Sequence, residues 1–353
     1  MRVCFTIAAL PALFIANPSV AQSPISLSSL SIAETADTLP RVASASQETP
    51  LQSIINFKSG GEAITIYVFR ATNPNAALWF ERADAILNYV WKPKGLGEGS
   101  AIKAYTMSGA KEPNGLRRVY PIAGSMKSTG LAVAEINGWI VKIRSSSSVL
   151  SPAEQEARLE RTMLAVSSTK PVAKPRPLLV PKACDTASAT AELESLLAGE
   201  AISDPDPATI LASGLTAMAL ADFLSGSKGS LADNPDQYCR IPLKQGAEFA
   251  AVYQNKDPKV KGWTMLFADS GMSVSGLETM GLEDKNKKEP TTIGMLTANQ
   301  LDKTNVILFS KSIPVAELSL APAANFLGRG GGKTYSTIEY GKKTLSIAMP
   351  PAK

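Results

Sequence analysis

Residues 64–69 read Ile-Thr-Ile-Tyr-Val-Phe, a strand-like run that follows the turn signal Gly60-Gly61. Side chains alternate along an extended chain, so both faces of this strand are apolar until Arg70. A strand with two apolar faces belongs in the middle of a sheet and needs a covering layer on each side. The sequence on either side of this strand should therefore supply two covering layers.

Helix signals flank this strand and a later group of strands. Asn73-Pro74 offers an N-cap followed by a proline at the first helical position. Apolar residues then recur at helical spacing from Trp79 to Val90, and Lys92-Pro93-Lys94-Gly95 ends the helix. Further on, Ser151-Pro152-Ala153-Glu154 forms a capping box at the start of a second helix.

Strand-like segments lie between the two helices, at residues 101–107, 116–122, 130–136 and 139–144. Asn137-Gly138 separates the last two segments and is a strong signal for a two-residue hairpin. We therefore predict an α+β fold whose N-terminal antiparallel sheet is packed with two helices.

The first residues are typical of an export signal. Arg2 precedes an apolar run from Val3 to Ile15, and Ser19-Val20-Ala21 supplies the small residues of a cleavage site. The run is too short to span a bilayer, so we predict cleavage after Ala21 and a periplasmic or secreted protein.

The chain divides into five predicted regions: a signal peptide (1–21), a flexible tether (22–50), an α+β domain (51–167), a Pro-rich basic linker (168–183) and a second domain (184–350). The second domain is expected to contain two helices, at 187–198 and 207–224, followed by an antiparallel β-rich part. Its predicted strands are 248–253, 262–267, 291–297, 305–310, 334–339 and 343–348. The second of these helices carries Asp222 and is short for a membrane span, so we favour a buried helix and do not expect an integral membrane protein.

Two cysteines remain after removal of the leader, Cys184 and Cys239. An even pair in an exported chain favours a structural disulfide. The alternative is a redox pair, although the spacing is not that of a Cys-x-x-Cys motif.

The chain contains no histidine, and its formal net charge is only +5 at pH 7. The absence of histidine excludes Ser-His-Asp and Cys-His catalysis and every metal site that needs an imidazole ligand. The mild charge does not favour nucleic-acid binding. The acidic groups Asp204-Pro205-Asp206 and Glu283-Asp284 match no calcium loop, so we expect neither a metal nor a cofactor.

Several short motifs resemble catalytic signatures without completing them. The glycine-rich run 328–334 lacks the first P-loop glycine and precedes a strand-like segment. Ser225/Lys228 and Ser167/Lys170 have Ser-x-x-Lys spacing but no companion motifs, and Gly271–Ser275 is an incomplete nucleophile elbow. We interpret all of them as loop, linker or strand residues.

The only surface hint concerns basic residues around the strand at 139–144. If neighbouring strands align, Arg70, Arg117, Lys142 and Arg144 form a basic patch that suits anionic envelope polymers or lipid headgroups. The alternative is a solvated strand end with cross-strand ion pairs.

Three segments carry a resemblance: 67–71 (YVFRA), 73–83 (NPNAALWFERA) and 138–147 (GWIVKIRSSS). In these segments the chain resembles a group of exported alphaproteobacterial proteins of unknown function. In element order, the N-terminal half is also similar to small Mog1/PsbP-like modules. The similarity covers under a third of the chain and implies no functional residue.

Taken together, these patterns favour an exported, non-enzymatic protein that binds an envelope component or a protein partner. The alternative is a hydrolase that uses a Ser/Lys or carboxylate pair assembled from distant positions.

Overall fold

The structure is a computed structural model that describes residues 22–24, 28–43, 47–49, 52–71, 73–184, 238–241, 250–256, 263–267, 271–282, 291–299, 303–309, 336–339 and 344–347. The predicted signal peptide and the two helices predicted at 187–198 and 207–224 lie outside these residues.

The described residues up to 184 form a β-rich body with two α-helices. Its elements in chain order are β1 Gln22–Pro24, β2 Leu30–Ala33, β3 Thr35–Ala36, β4 Leu39–Pro40, β5 Gln47–Thr49, β6 Gln52–Ser59, β7 Glu62–Arg70, α1 Ala76–Trp91, β8 Lys103–Tyr105, β9 Gly115–Pro121, β10 Ser128–Ile136, β11 Trp139–Ser147, α2 Pro152–Met163 and β12 Val166–Ser168.

The centre of the body is a seven-stranded antiparallel sheet with strand order β5-β6-β7-β11-β10-β9-β8. The strand that contains residues 64–69 is β7. It pairs with β6 on one side and β11 on the other, so it lies inside the sheet as predicted. The β10–β11 hairpin turns at Asn137-Gly138, where both residues have positive φ. The α+β fold class is thereby confirmed.

One face of the sheet is covered by α2 and by a small sheet of β1, β2 and β12. Ile66 and Val68 of β7 belong to this core, together with Leu30 and Ile32 of β2 and Leu159 of α2. Burial of these aliphatic side chains is the main free-energy gain that holds this layer in place.

Because of this layer, the prediction of a flexible tether at 22–50 is wrong for residues 28–43. Leu30 and Ile32 are 1% and 0% exposed, and β2 hydrogen-bonds in register with β12. The strand β2 is only four residues long, and its pairing partner β12 comes more than 130 residues later in the chain.

The opposite face is covered by α1. Phe69 of β7 and Leu131 of β10 pack in one cluster with Leu78, Phe80 and other apolar residues of the helix. The N-cap of the helix is Asn75, two residues after the predicted N-cap. The Asn75 Oδ1 accepts from the backbone N–H groups of Ala77 and Leu78. The predicted N-cap, Asn73, instead accepts the Trp79 Nε1–H on its carbonyl at 2.9 Å.

Helix α2 begins as the sequence predicts. The Ser151 side chain accepts from the backbone N–H of Glu154, and the Glu154 carboxylate accepts from the backbone N–H of Ser151. Pro152 occupies the first helical position. The capping box is thus complete, and it satisfies two backbone N–H groups at the start of α2.

The described strands after residue 237 form an eight-stranded antiparallel meander. They are β13 Tyr238–Ile241, β14 Ala250–Asn255, β15 Trp263–Phe267, β16 Met272–Leu282, β17 Thr291–Asn299, β18 Lys303–Phe309, β19 Ser336–Glu339 and β20 Thr344–Ile347. Six of them match the predicted β-rich part, whereas β13 and β16 were not predicted.

An extended segment at residues 169–184, which we call the strap, joins the body to the meander. Asn137 fixes its first half, since its side chain donates to the Pro171 carbonyl and accepts from the Ala173 N–H. At its end, Cys184 and Cys239 form the predicted disulfide, with a Cα–Cα distance of 5.0 Å. Backbone hydrogen bonds between Arg240 and the strap flank this disulfide.

The meander also packs directly on α1. Tyr253 is fully buried, and its hydroxyl donates to Glu81 Oε2 at 2.5 Å. Arg240 donates to the other oxygen of the same carboxylate at 2.7 Å. Burial and the neighbouring Glu81 raise the pKa of Tyr253 well above its usual value, so the phenol remains a donor. Glu81 is therefore the polar contact that orients the meander on the helix.

A second polar group joins α1 to β9. The Tyr120 hydroxyl donates to Asp84 Oδ1 at 2.5 Å, and Arg118 Nη1 lies 3.4 Å from Asp84 Oδ2. Burial raises the pKa of Asp84, while the Tyr120 hydrogen bond and the Arg118 charge partly oppose this shift. The folded protein therefore binds a proton at Asp84 more tightly than the unfolded chain does.

None of the helices in the described part of the chain has the length and apolar character needed to cross a bilayer.

The raised pKa of Asp84 predicts a specific pH dependence of stability. Its contribution to the free energy of unfolding grows as pH falls from 7 through its raised pKa toward its usual value of 3.8, and is lost as pH rises. Asn at this position does not titrate. We therefore expect wild type to gain stability relative to Asp84→Asn as the pH is lowered, measured by urea denaturation at neutral and acidic pH. A stability difference that stays constant or moves the other way would contradict the assignment.

Candidate functional site

The structure places Arg70, the first residue of the predicted basic patch, in the interior. Its side chain is 1% exposed, its Nη1 donates to the Asn137 carbonyl at 2.8 Å, and its guanidinium lies 5.8 Å from the centre of the Trp139 ring. Arg70 therefore fastens the β10–β11 turn to the sheet.

Lys142 and Arg144 lie on the other face of the sheet, where α1 packs. Lys142 is 2% exposed, and its Nζ stands 4.0 Å from the centre of the Tyr67 ring on the paired strand. Arg144 pairs in register with Leu131, a member of the α1-side core, and is half-buried. Neither side chain shares a surface with Arg70.

Arg117, the fourth residue, is held by acidic partners on α2. Its Nη2 lies 2.5 Å from Glu160 Oε1 and 3.5 Å from Glu156 Oε1. The prediction of one basic patch is therefore wrong in its geometry, because the four residues lie on two faces and two of them are buried. The alternative of cross-strand ion pairs does not describe Arg117 either, because both of its acidic partners lie on helix α2.

The incomplete motifs gain no support as sites in the described residues. Ser167 lies in β12 and pairs with β2, and Ser273 is fully buried in β16. The runs around Ser225/Lys228 and 328–334, and the acidic groups at 204–206 and 283–284, lie outside the described residues. Within the described ranges, no three His, Cys, Asp or Glu side chains are grouped so that they could hold a metal ion.

The strongest candidate is a cleft of about 500 Å³ between the end of α2, β8 and the loop after β8. We call it the Tyr105 cleft. Its lining residues are Tyr105, Thr106, Met107, Ser108, Gly109, Arg117, Glu160, Met163, Leu164 and Val166. Three separate parts of the sequence thus build one concave surface.

Tyr105 forms the inner wall because the strand beside it has no side chain at the paired position. A Cβ on Gly115 would lie 2.5 Å from Tyr105 Cζ, so only glycine lets the ring lie across β9. The fully buried Asn114 fixes the loop after β8. Its Oδ1 accepts from the Met107 N–H at 2.8 Å, and its Nδ2 donates to the Glu135 carbonyl at 2.9 Å.

Ser108 closes the loop over the cleft. It has a φ of 56°, next to Gly109 with a φ of 76°, and its hydroxyl donates to the Val166 carbonyl at 3.0 Å. This hydrogen bond ties the loop to the segment behind α2. The cleft is therefore held on two sides by buried or part-buried hydrogen bonds.

The charges at the cleft are balanced. Lys103 lies 2.7 Å from Glu156, and Arg117 bridges Glu156 and Glu160, so two cations face two carboxylates. Glu160 is half exposed, which lets solvent weaken its pair with Arg117. A ligand at this site meets directional donors and acceptors but little net charge.

In the described part of the chain, two residues that line the cleft have a buried polar atom without a hydrogen-bond partner: the Tyr105 hydroxyl and Arg117 Nε. The Tyr105 side chain is 8% exposed, and its oxygen has no hydrogen-bond partner among the described residues. Burial raises the pKa of this phenol above its usual value, and the charge of Arg117 opposes the shift only in part. The hydroxyl is therefore a neutral donor at physiological pH, and a buried donor without a partner costs about 1–3 kcal/mol.

The rim of the cleft is apolar. Met107 and Met163 are buried, whereas Leu164 directly after α2 is 81% exposed, the most exposed large apolar side chain in the described part of the chain. Methionine side chains are unbranched and adapt to different shapes. The cleft thus combines an adaptable apolar wall with the inner Tyr105 hydroxyl as a neutral donor.

Sequence reasoning missed this site. Residues 101–107 were predicted as a strand and Ser151–Glu154 as the start of a helix, with no signal that the two elements meet. The cleft depends on α2 crossing β8 and β9, which no local pattern encodes.

The buried position of Arg70 predicts that it stabilises the β10–β11 turn. Alanine substitutions at two glycines, Gly138 and Gly124, can test this role. Gly138 and Gly124 both have positive φ, but a Cβ on Gly138 would lie 2.3 Å from Arg70 Nη1, whereas nothing lies within 4 Å at Gly124. We expect Gly124→Ala to lower the free energy of unfolding by about 1 kcal/mol. Gly138→Ala should cost at least about 1 kcal/mol more, because Arg70 must leave its partner. Equal losses in urea denaturation would contradict this role.

Comparison with known proteins gives no relative: no protein family, no curated protein and no solved structure matches this chain. The resemblance to exported proteins and to Mog1/PsbP-like modules therefore stays a prediction.

Proposed function

We propose that this chain is an exported, non-enzymatic protein whose Tyr105 cleft binds an extended segment of a partner protein. The observation that carries the proposal is the buried Tyr105 hydroxyl, which has no hydrogen-bond partner in the described structure. Native proteins rarely leave such a group unsatisfied, and unsatisfied groups that persist are often explained by function.

The chemistry of the cleft defines the ligand. A group that accepts a hydrogen bond from Tyr105 must stand next to an apolar group that covers Met163 and Leu164. The balanced charges of Arg117 and Glu160 do not select for an ion. A backbone carbonyl beside an apolar side chain meets both requirements.

The position of the cleft favours a peptide. β8 is the last strand of the seven-stranded sheet in its described part, and Tyr105 lies at the end of β8. Extended segments commonly bind at such edges, where backbone hydrogen bonds supply affinity and alternate side chains enter neighbouring pockets. The methionines then adapt to the side chain that enters.

The hydrolase alternative receives less support from the cleft. Its only serine, Ser108, donates its hydroxyl to the Val166 carbonyl, and no lysine lines the cleft to activate it. Glu156 and Glu160 are both engaged by Arg117, so they do not resemble a poised carboxylate pair. A serine-reactive activity probe that labels the purified protein would favour the alternative.

Export is supported by the disulfide between Cys184 and Cys239, since such bonds persist in oxidising compartments. The proposal therefore locates the protein in the periplasm or outside the cell, as the leader sequence predicts.

The proposal predicts opposite effects of Tyr105→Phe on stability and on binding. Peptides selected from a random displayed library on the wild-type protein should bind Tyr105→Phe about fivefold more weakly, because one hydrogen bond of about 1 kcal/mol is lost. The free energy of unfolding of the unliganded variant should stay equal or rise, because the hydroxyl has no partner to lose. Titration calorimetry and urea denaturation measure the two quantities.

The rim provides a matched pair of controls. Leu164→Asp should weaken the selected peptides about tenfold, since it removes the apolar contact and places a charge there. Leu179→Asp changes an exposed leucine of the strap outside the cleft lining and should leave binding unchanged. Peptides that bind all three variants as they bind wild type would refute the site, and displacement of a fluorescent fatty acid from the cleft would point to a lipid instead.

A further inference from the structure

The end of the body opposite the Tyr105 cleft carries exposed lysines beside exposed apolar residues. We call it the lysine pole and define it by Tyr89, Val90, Lys92, Lys94, Lys127 and Val149. All six are exposed, with Tyr89 at 61%, Val149 at 47% and Val90 at 39%. They lie where α1 ends, at the β9–β10 turn and in the loop before α2.

Hydrogen bonds join these segments into one surface. The Leu96 N–H donates to the Trp91 carbonyl at 3.1 Å, which folds the chain back after α1. The Ala123 N–H then donates to the Gly95 carbonyl at 2.9 Å, joining this bend to the β9–β10 turn. Lys127 in turn donates through Nζ to the Val149 carbonyl at 3.3 Å. The pole is therefore continuous across the end of the sheet.

Aromatic and cationic groups stand side by side on the pole. Lys94 Nζ lies 4.8 Å from the centre of the Trp91 ring, and Tyr89 projects from the last turn of the same helix. Tyrosine and tryptophan combine an apolar ring with a polar tip, and lysine combines an apolar stem with a charged head. These side chains suit the boundary between lipid headgroups and acyl chains.

The pole has an excess of positive charge. Residues 85–97 contain Lys92 and Lys94 and no acidic residue. The neighbouring acids include Glu98, Glu154 and Glu62. The Glu154 carboxylate accepts from the backbone N–H of Ser151 at 2.8 Å and also interacts with the charge of Lys127. Glu62, which pairs in register with Ser147, is held by Arg158, so it leaves the charges of Lys92 and Lys94 uncompensated.

We propose that the lysine pole binds the surface of an anionic lipid bilayer. Lys92, Lys94 and Lys127 would attract the headgroups, and Tyr89, Val90 and Val149 would enter the interface between them. Each lysine near an anionic membrane contributes to binding, and an aromatic side chain at the interface adds a contact that salt does not screen. This surface is separate from the Tyr105 cleft, so the inference does not depend on what the cleft binds.

The geometry leaves both surfaces usable at the same time. Helix α2 begins after Val149 at the pole and runs for 12 residues to Met163 in the cleft. At 1.5 Å per residue this is roughly 18 Å. A body docked by the pole therefore presents the cleft away from the membrane.

The test is sedimentation of the purified exported chain with vesicles of phosphatidylcholine, with and without phosphatidylglycerol. We expect binding only to the anionic vesicles. Lys92→Glu with Lys94→Glu should lower the partition coefficient about tenfold or more, and Tyr89→Ser should lower it several-fold. The control is Lys174→Glu with Lys182→Glu, which makes the same charge change on the exposed strap.

Three results would overturn the proposal. Wild-type protein that stays in the supernatant with anionic vesicles would remove the membrane partner. Equal losses in the pole and strap variants would show that net charge, and not the pole, governs binding. Binding to soluble dextran sulfate that depends on Lys92 and Lys94, with vesicle binding unaffected by Tyr89→Ser, would assign the pole to a soluble polyanion. Circular dichroism of each variant confirms that the fold is retained.

Discussion

The structure depends on the two apolar faces of the strands at the centre of the seven-stranded sheet. β7, β10 and β11 bury aliphatic or aromatic side chains on both sides, so neither face tolerates water. α2 and the β1-β2-β12 sheet cover one face, and α1 covers the other. α1 is itself buried where Tyr253 and Leu266 of the meander pack on the same cluster, which places the second part of the chain. The Glu81 contacts and the disulfide then fix an arrangement that apolar burial already favours.

The central strands and both helices could be predicted from sequence because their signals are local. Apolar alternation in β7, the Asn137-Gly138 turn and the capping box at Ser151 each lie within a few neighbouring residues. The region 28–43 was misjudged because β2 is only four residues long and is stabilised by β12, which comes much later in the chain. The buried lysine was misjudged for a similar reason: Lys142 is accommodated by Tyr67 on a strand that lies far away in sequence.

The candidate sites also depend on contacts between segments that are far apart in the sequence. Cationic residues on regular strands suggested a binding patch, but the strands that carry them form the interior of the body. The surfaces available for binding lie at its two ends, where chain reversals leave Tyr105 and Leu164 at one end and Tyr89 and Lys92 at the other. Such ends combine residues from separate segments, so they become visible only once the helices have been placed on the sheet.

Photo-crosslinking from the rim of the cleft in the producing cell tests the central claim most directly. A photoreactive phenylalanine analogue at position 164 should form adducts whose mass spectra show a peptide joined to that residue. These adducts should weaken when Tyr105→Phe is added and should be absent when the analogue is placed at position 179. Acyl-chain adducts at position 164, or the same peptide adducts from both positions, would contradict a peptide-binding cleft.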